Sequence, residues 1–324
     1  MLWVILMDKC QKYIPMILFI ATILLSMIII EGYPEKTQEP IFPSQSVTTE
    51  EKNLLVSVKD KSGIVVKIEL NDYLVCVLLS EMPTSFSEEA LKAQAVVART
   101  YTLLQAKNGK KHEDCDVCMD SRCCQGYKTV EEYLKSGGNN LNKVKKAVED
   151  TKELVLTYND KLIDATYFSC SGGNTEDAVA VWGKDVPYLQ AKESPGEEFA
   201  AHYTDQVSFS SVELGELLGI SVQKSPSLWV ESITYTAGGG VDEITICGKN
   251  FRGVELRNML NLRSTAFTIA VQDDEFVFST KGYGHRVGMS QYGAEAMAKK
   301  GVKFDEILLY YYTGVTLTEY RPED

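Results

Sequence analysis

The chain has 324 residues, 44% of them hydrophobic, with 33 Lys and Arg set against 45 Asp and Glu for a formal net charge of −12. So large an acidic excess argues against nucleic acid or anionic lipid as the ligand and makes an uncharged or cationic polymer easier to reconcile. Beyond the N-terminal segments, roughly 270 residues remain, enough for one large core or two small ones.

In chain order, residues 13–30 carry no charge, and as a helix they would reach about 27 Å, close to the thickness of a bilayer core. A transmembrane helix is predicted there. Lys9 and Lys12 precede it and Glu31, Glu35 and Glu39 follow, so the positive-inside rule puts residues 1–12 in the cytoplasm and the rest outside a cell membrane crossed once. A cleaved signal peptide is the competing reading, but SMIIIEGY has no small-residue cleavage site. Residues 31–50 are rich in Pro, Ser, Thr and Gln without periodicity and read as a flexible linker.

Residues 51–324 read as an extracytoplasmic α+β domain, with a split into two subdomains left open. Strands are predicted at 54–59 and 64–70 around the Asp60-Lys61-Ser62-Gly63 turn. A helix over 72–81, capped by Asn71 or Asp72, follows. Ser85 and Glu88 form a capping-box pair opening a second helix rich in Ala and Leu. After a cysteine-rich loop come a helix over 142–153 and a hairpin, 154–158 with 162–168, turning at Asn159-Asp160. Residues 176–230 have no clear period. Strands recur near 230–236, 242–248 and 267–280, and GYGHRVGMSQYGAEAMAKK reads as a Gly-rich turn feeding a helix.

Glu81 stands out in NDYLVCVLLSEMPTSF. Leu74, Val77 and Leu78 lie seven, four and three residues before it, so a helix puts the carboxyl on their apolar face. Apolar surroundings and the negative end of the helix dipole both disfavour the anion. A carboxylic acid held protonated near neutral pH is suited to general acid catalysis of glycosidic cleavage; the bland alternative is a helix-end Glu reaching into water. On the next helix Lys92 and Arg99, seven apart, point the same way and are candidates to hold sugar hydroxyls or a carboxylate, or to be ordinary solvated cations.

The loop HEDCDVCMDSRCCQGY packs His112, Cys115, Cys118, Cys123 and Cys124 into a short stretch. Soft ligands at this density suit tetrahedral zinc. Disulfides are the rival outside the cell, although adjacent Cys123 and Cys124 are awkward partners. In SCSGGNTE, Cys170 can be read as a nucleophile with His285 or His202 as base, but nothing in the segment activates a thiol. The glycines of GYGHRVGMSQYGA miss the dinucleotide-binding spacing, and His285, Gln291 and Tyr292 there are candidate sugar contacts.

The segments SEMPTSFSEEALKAQAVVARTY, YFSCSGGNTE, GHRVGMSQYGA and YYYTGV resemble, in that order, the signature segments of the stage II sporulation protein D family. The resemblance implies helices packed with antiparallel sheets around a glycan-binding groove. It also implies a membrane-anchored lytic transglycosylase acting on peptidoglycan during forespore engulfment, at the sporulation septum in the mother-cell membrane; the alternatives are a zinc or cysteine peptidoglycan amidase and a noncatalytic glycan-binding scaffold. The family's catalytic acid/base falls on Glu81, and the Lys and Arg of its following helix fall on Lys92 and Arg99. Ser169, Ser171 and the Gly172-Gly173 backbone are then expected to bind sugar. Matching some members' structural zinc site gives His112, Cys118, Cys123 and Cys124, with Cys123 where those members have His. Stage II sporulation proteins P and M are the implied partners, and peptide-stripped glycan strands the implied substrate. One departure is Arg286, which stands where the family has a second Gly after the His and puts a tight turn there in question.

Overall fold

The computed structural model describes residues 54–109, 111–221 and 225–321. The predicted transmembrane helix 13–30 and linker 31–50 lie outside the described residues, among which no helix is long and apolar enough to cross a membrane.

Strands β1 (Leu55–Lys59) and β2 (Val65–Glu69) pair antiparallel around the predicted turn. The Asp60 carboxylate closes that turn by accepting from the Ser62 and Ile64 N–H groups. Helix α1 (Leu70–Glu81) leaves β2 without a loop, and its cap is Glu69, which accepts from the Asp72 N–H at 2.9 Å, rather than Asn71 or Asp72. Tyr73, Leu74, Val77 and Leu78 are fully buried, so α1 is a core helix. Helix α2 (Glu88–Asn108) packs across it. The expected Ser85–Glu88 capping box does not form. Ser87 is the cap residue, without a side-chain cap bond, and its N–H donates to the Glu295 carboxylate at 2.6 Å.

Strand β3 (Val117–Cys118) adds to β1 in parallel and fixes the middle of the cysteine-rich loop against the sheet. Helices α3 (Val130–Lys135) and α4 (Leu141–Asp150) follow, then β4 (Leu154–Tyr158) and β5 (Lys161–Leu162). Asn159 and Asp160, both at positive φ, make the tight turn between them. The predicted second hairpin strand stops there. Residues of β6 (Tyr167–Phe168) instead pair in parallel with β13 (Met289–Ser290), more than a hundred residues away, which turns Ser169 toward a cavity.

The stretch without period folds as α5 (Ala178–Trp182), β7 (Thr204–Ser210) and α6 (Ser211–Leu218). Then come β8 (Val230–Tyr235), β9 (Val241–Ile246), β10 (Lys249–Arg252), α7 (Gly253–Met259), β11 (Phe267–Gln272) and β12 (Glu275–Lys281). These form two antiparallel sheets, ordered β10-β9-β8 and β11-β12-β7, over a separate cluster that includes Leu214, Trp229, Ile244, Phe251, Leu256, Phe276 and Phe278. The larger cluster gathers α1, α2 and α4 with α8 (Gln291–Lys299), α9 (Phe304–Tyr311) and the sheet β14-β4-β5, in which β14 is Thr316–Glu319. The class is therefore α+β, with small sheets around helices.

Candidate active site

Glu81 is the last residue of α1, and the chain leaves the helix at Met82 in extended geometry. The carboxyl faces a cavity of about 1040 Å³, which is ligand-sized. Its Oε1 accepts a hydrogen bond from the Gly126 N–H, and the Gln291 side chain bonds it as well. Burial holds the carboxyl above its ordinary pKa, and the two hydrogen bonds only partly offset that rise. A Cβ at position 126 would lie 2.7 Å from the Ser80 Oγ and 2.8 Å from Glu81 Oε1, so any side chain there would have to push one of these groups aside.

Gln291 opens α8 directly after β13, so the β6–β13 pairing delivers it to Glu81. Its Nε2 lies 3.5 Å from the Oε1 of buried Gln94 on α2. Along the same cavity run Tyr167, Phe168 and Ser169, Trp182, Tyr283, Gly284 and His285. A second hollow of about 520 Å³ shares Ser80, Glu81, Ser169 and Gln291 with the first and continues past Pro83, Thr84, Tyr133, Asn139 and Tyr292. Glu81 thus stands at the junction of two arms of one groove.

Ser169, His285 and Gln291 line the larger arm and Tyr292 the smaller, as a sugar-contact reading requires. His285 contributes a ring face rather than a charge. Its Nδ1 accepts from the Val287 N–H, and burial together with the nearby Arg257 charge pushes its pKa down to about 4. Tyr292 packs edge-on against Phe86 at 5.0 Å.

Lys92 and Arg99 do share a face, but it is turned to α4 and neither lines the groove. Arg99 is buried, its guanidinium donating to the carbonyls of Val148 and Thr151 at 3.1 and 2.6 Å, where α4 ends and β4 is about to begin. Such a cation is committed to backbone and is structural. Lys92 pairs with Asp150 at 3.1 Å on the same side. Ser171, Gly172 and Gly173 are also turned away from the groove. The Ser171 N–H and Oγ both donate to buried Glu197, at 2.6 and 2.9 Å, and the Gly173 N–H donates to the Ser171 Oγ. Gly172, at φ +75, lies so close to the Lys281–Gly282 backbone that a Cβ would clash at 2.6 Å. This loop is a joint between segments. The nucleophile reading of Cys170 also lacks support, since the thiol is buried, donates to the His202 carbonyl and is pushed up to about 11 by burial.

Three wall residues escaped the sequence reading. Asp164 lines the larger arm and burial raises its carboxyl pKa; a lone acid within the apolar run LIDATYF was the available signal. Trp182 fell in the stretch without period. Gly126 was hidden at the end of the cysteine-rich loop, and only its tertiary neighbours reveal its amide as the donor to Glu81.

Arg286 answers the question its substitution raised. It takes φ +66, the left-handed geometry a glycine accepts freely, at a cost of about 1 kcal/mol for a side-chain-bearing residue. Its guanidinium is repaid by the carbonyls of Ser171, Asn174 and Gly238 and by a buried ion pair with Glu176 at 3.1 Å.

His112, Cys118, Cys123 and Cys124 converge next to this site, their ligand atoms all within 4.8 Å of one another. The His112 Nε2 lies 3.3 Å from the Cys124 Sγ and 3.6 Å from that of Cys123, against tetrahedron edges of about 3.6–3.8 Å around a zinc ion. The donor set and spacing fit such an ion. Cys115 is outside the cluster, and no disulfide links the described cysteines. Cys123 and Cys124 also line the larger arm, three and two residues before Gly126.

Fold and site together define an α+β protein built around a half-buried glutamic acid of raised pKa in a two-armed groove. The Stage II sporulation protein family model matches residues 58–158. Stage II sporulation protein D of Bacillus subtilis (strain 168) is 38% identical over 259 residues, covering 78% of this chain and 75% of that protein. The Bacillus amyloliquefaciens protein of the same name matches equally over the same length. A protein named Amidase enhancer from Bacillus subtilis (strain 168) is 33% identical over 298 residues, 75% of this chain and 40% of its own length. The chain belongs to the stage II sporulation protein D family.

Proposed function

We propose that this protein is a lytic transglycosylase of sporulation, cleaving N-acetylmuramic acid–N-acetylglucosamine linkages in peptide-stripped glycan strands of the cell wall. The observation that carries the reading is the Glu81 carboxyl, its pKa raised by burial, where the two arms of the groove meet. In the first step Glu81 donates its proton to the glycosidic oxygen as that bond to C1 of the muramic sugar breaks. The resulting carboxylate then removes the proton of the same sugar's 6-hydroxyl as its oxygen bonds to C1. The product is a 1,6-anhydro end, no water is consumed, and Glu81 is again protonated. The Gly126 amide and Gln291 serve the middle of this cycle by stabilising the carboxylate.

A zinc ion held by His112, Cys118, Cys123 and Cys124 would be structural, because four protein ligands leave no position open for substrate. In this reading the chain is anchored by the N-terminal apolar segment, acts outside the membrane, and works with stage II sporulation proteins P and M. Asp164 supplies the competing reading, a two-carboxyl hydrolase, since it lines the same arm as Glu81. The two separate by product. Full-length protein incubated with peptide-stripped strands is expected to yield 1,6-anhydro ends by mass spectrometry, lost in Glu81→Gln by at least a hundredfold and retained in Asp164→Asn. Hydrated reducing ends that vanish in Asp164→Asn would establish the hydrolase instead, and product formation unaffected by Glu81→Gln would remove Glu81 from the chemistry.

A further inference from the structure

In the larger arm of the groove, Trp182 is 44% exposed and Tyr283 42%, although large aromatic rings are ordinarily covered. Trp182 is not a loosely hanging side chain. It ends the short helix α5, which is stopped by Gly183 at φ +69 with its N–H on the Val179 carbonyl, and Arg252 donates to the Ala180 carbonyl at 2.7 Å. Its ring leans on His285 at 5.4 Å, and His285 meets Phe168 edge-on at 5.6 Å. Trp182, His285 and Phe168 therefore make a continuous aromatic wall, fixed from behind, in the arm that begins at Glu81. The same arm also carries hydrogen-bonding groups from Asp164, Lys111 and Arg122.

An exposed flat ring on a rigid mount, with polar groups sharing its cavity, matches one chemistry well. A pyranose ring presents a face of C–H groups and a rim of hydroxyls. The C–H face is attracted to the negative face of an aromatic ring, while the hydroxyls need polar partners. We infer that Trp182 is the stacking platform for a sugar ring of the glycan strand, placed in the larger arm away from the bond that Glu81 cleaves. It is a binding residue that sets where the strand lies, and the inference rests on the glycan reading of the groove.

The chain's tryptophans make the test direct, because Trp229 is fully buried in the second hydrophobic cluster and Trp3 lies outside the described residues. Full-length Glu81→Gln protein, which binds without turnover, is titrated with a β-1,4-linked N-acetylglucosamine hexamer while intrinsic fluorescence and calorimetric heat are followed. The expected result is a fluorescence change that Trp182→Phe abolishes. The dissociation constant should rise about tenfold in Trp182→Ala and only two- to threefold in Trp182→Phe, which keeps a flat ring. Circular dichroism checks that each variant is folded, and Trp182→Phe stands alone if the alanine variant is not. Hexamer binding with an unchanged constant and fluorescence response in the variants, or no binding to the parent, overturns the inference. Trp182-dependent binding without anhydro products would sink the transglycosylase proposal while leaving the platform in place. Anhydro products with a KM indifferent to Trp182 would do the reverse.

Discussion

Glu81 couples protonation to both folding and activity. Its folded pKa lies above the ordinary 4.5 because burial disfavours the anion. The neutral acid is therefore the form the fold prefers, and its contribution is complete below pH 4.5 and lost as pH rises through the folded value. Glu81→Gln, which is neutral at every pH, should match wild type in thermal stability at pH 4 and exceed it by a few degrees at pH 7.5. A constant gap across that range would show that folding leaves the carboxyl's pKa unshifted. Anhydro-end formation should weaken along the same rising limb, since the first step needs the proton. At the same scale, Arg99 illustrates how a residue type misleads. A cation on a helix near an acid reads as a ligand in one dimension, yet its guanidinium is consumed by carbonyls at the end of α4.

At the scale of elements, the cysteine-rich loop and α1 act as a unit. β3 pins the loop to β1, the His–Cys cluster gathers its two ends, and Gly126, two residues after Cys124, delivers its N–H to Glu81. Metal removal should therefore be felt at the acid. The expected outcome is one zinc per chain by elemental analysis, with a strong chelator lowering the melting temperature by several degrees and abolishing anhydro products. Zinc should restore both in wild type but neither in Cys124→Ser. Purified protein containing no zinc and a disulfide within this loop by peptide mapping would overturn this assignment. The capping of α2 teaches a related lesson: Ser85 and Glu88 have the spacing of a local cap, but the cap residue is Ser87, whose N–H donates to the Glu295 carboxylate from α8.

For the whole molecule, the notable device is the Arg286–Glu176 pair. It joins the Gly-rich segment beside His285 to the loop between β8 and β9, where Glu176 accepts from the Gly240 N–H and the Thr236 hydroxyl. The β10-β9-β8 sheet is thereby fastened to the segment that carries His285. Removing one member of such a pair leaves a buried charge unpaired and costs about 3–5 kcal/mol. Arg286→Ala should lose that much stability in urea denaturation, and the double variant Glu176→Gln/Arg286→Ala should recover part of it. Equal stability of Arg286→Ala and wild type would mean the pair is not the fastening.

Local information was enough for those features in which one residue's environment is set by its near neighbours. The Leu74–Val77–Leu78 face beside Glu81, the β1–β2 turn, the Asn159-Asp160 turn and the α+β alternation are all consequences of period and turn chemistry within a dozen positions. The density of His and Cys in the loop was legible for the same reason, and the resemblance picked out the four whose ligand atoms converge in the structure. What the tertiary structure decided are partnerships between distant segments. The parallel β6–β13 pairing brings Gln291 and Ser169 to Glu81, while the Ser171 loop turns inward onto Glu197 and Trp182 is set on the groove wall. No period in the sequence encodes which carbonyl will claim Arg99 or which amide will reach Glu81, because those bonds exist only once the two hydrophobic clusters have closed and brought their donors and acceptors within reach.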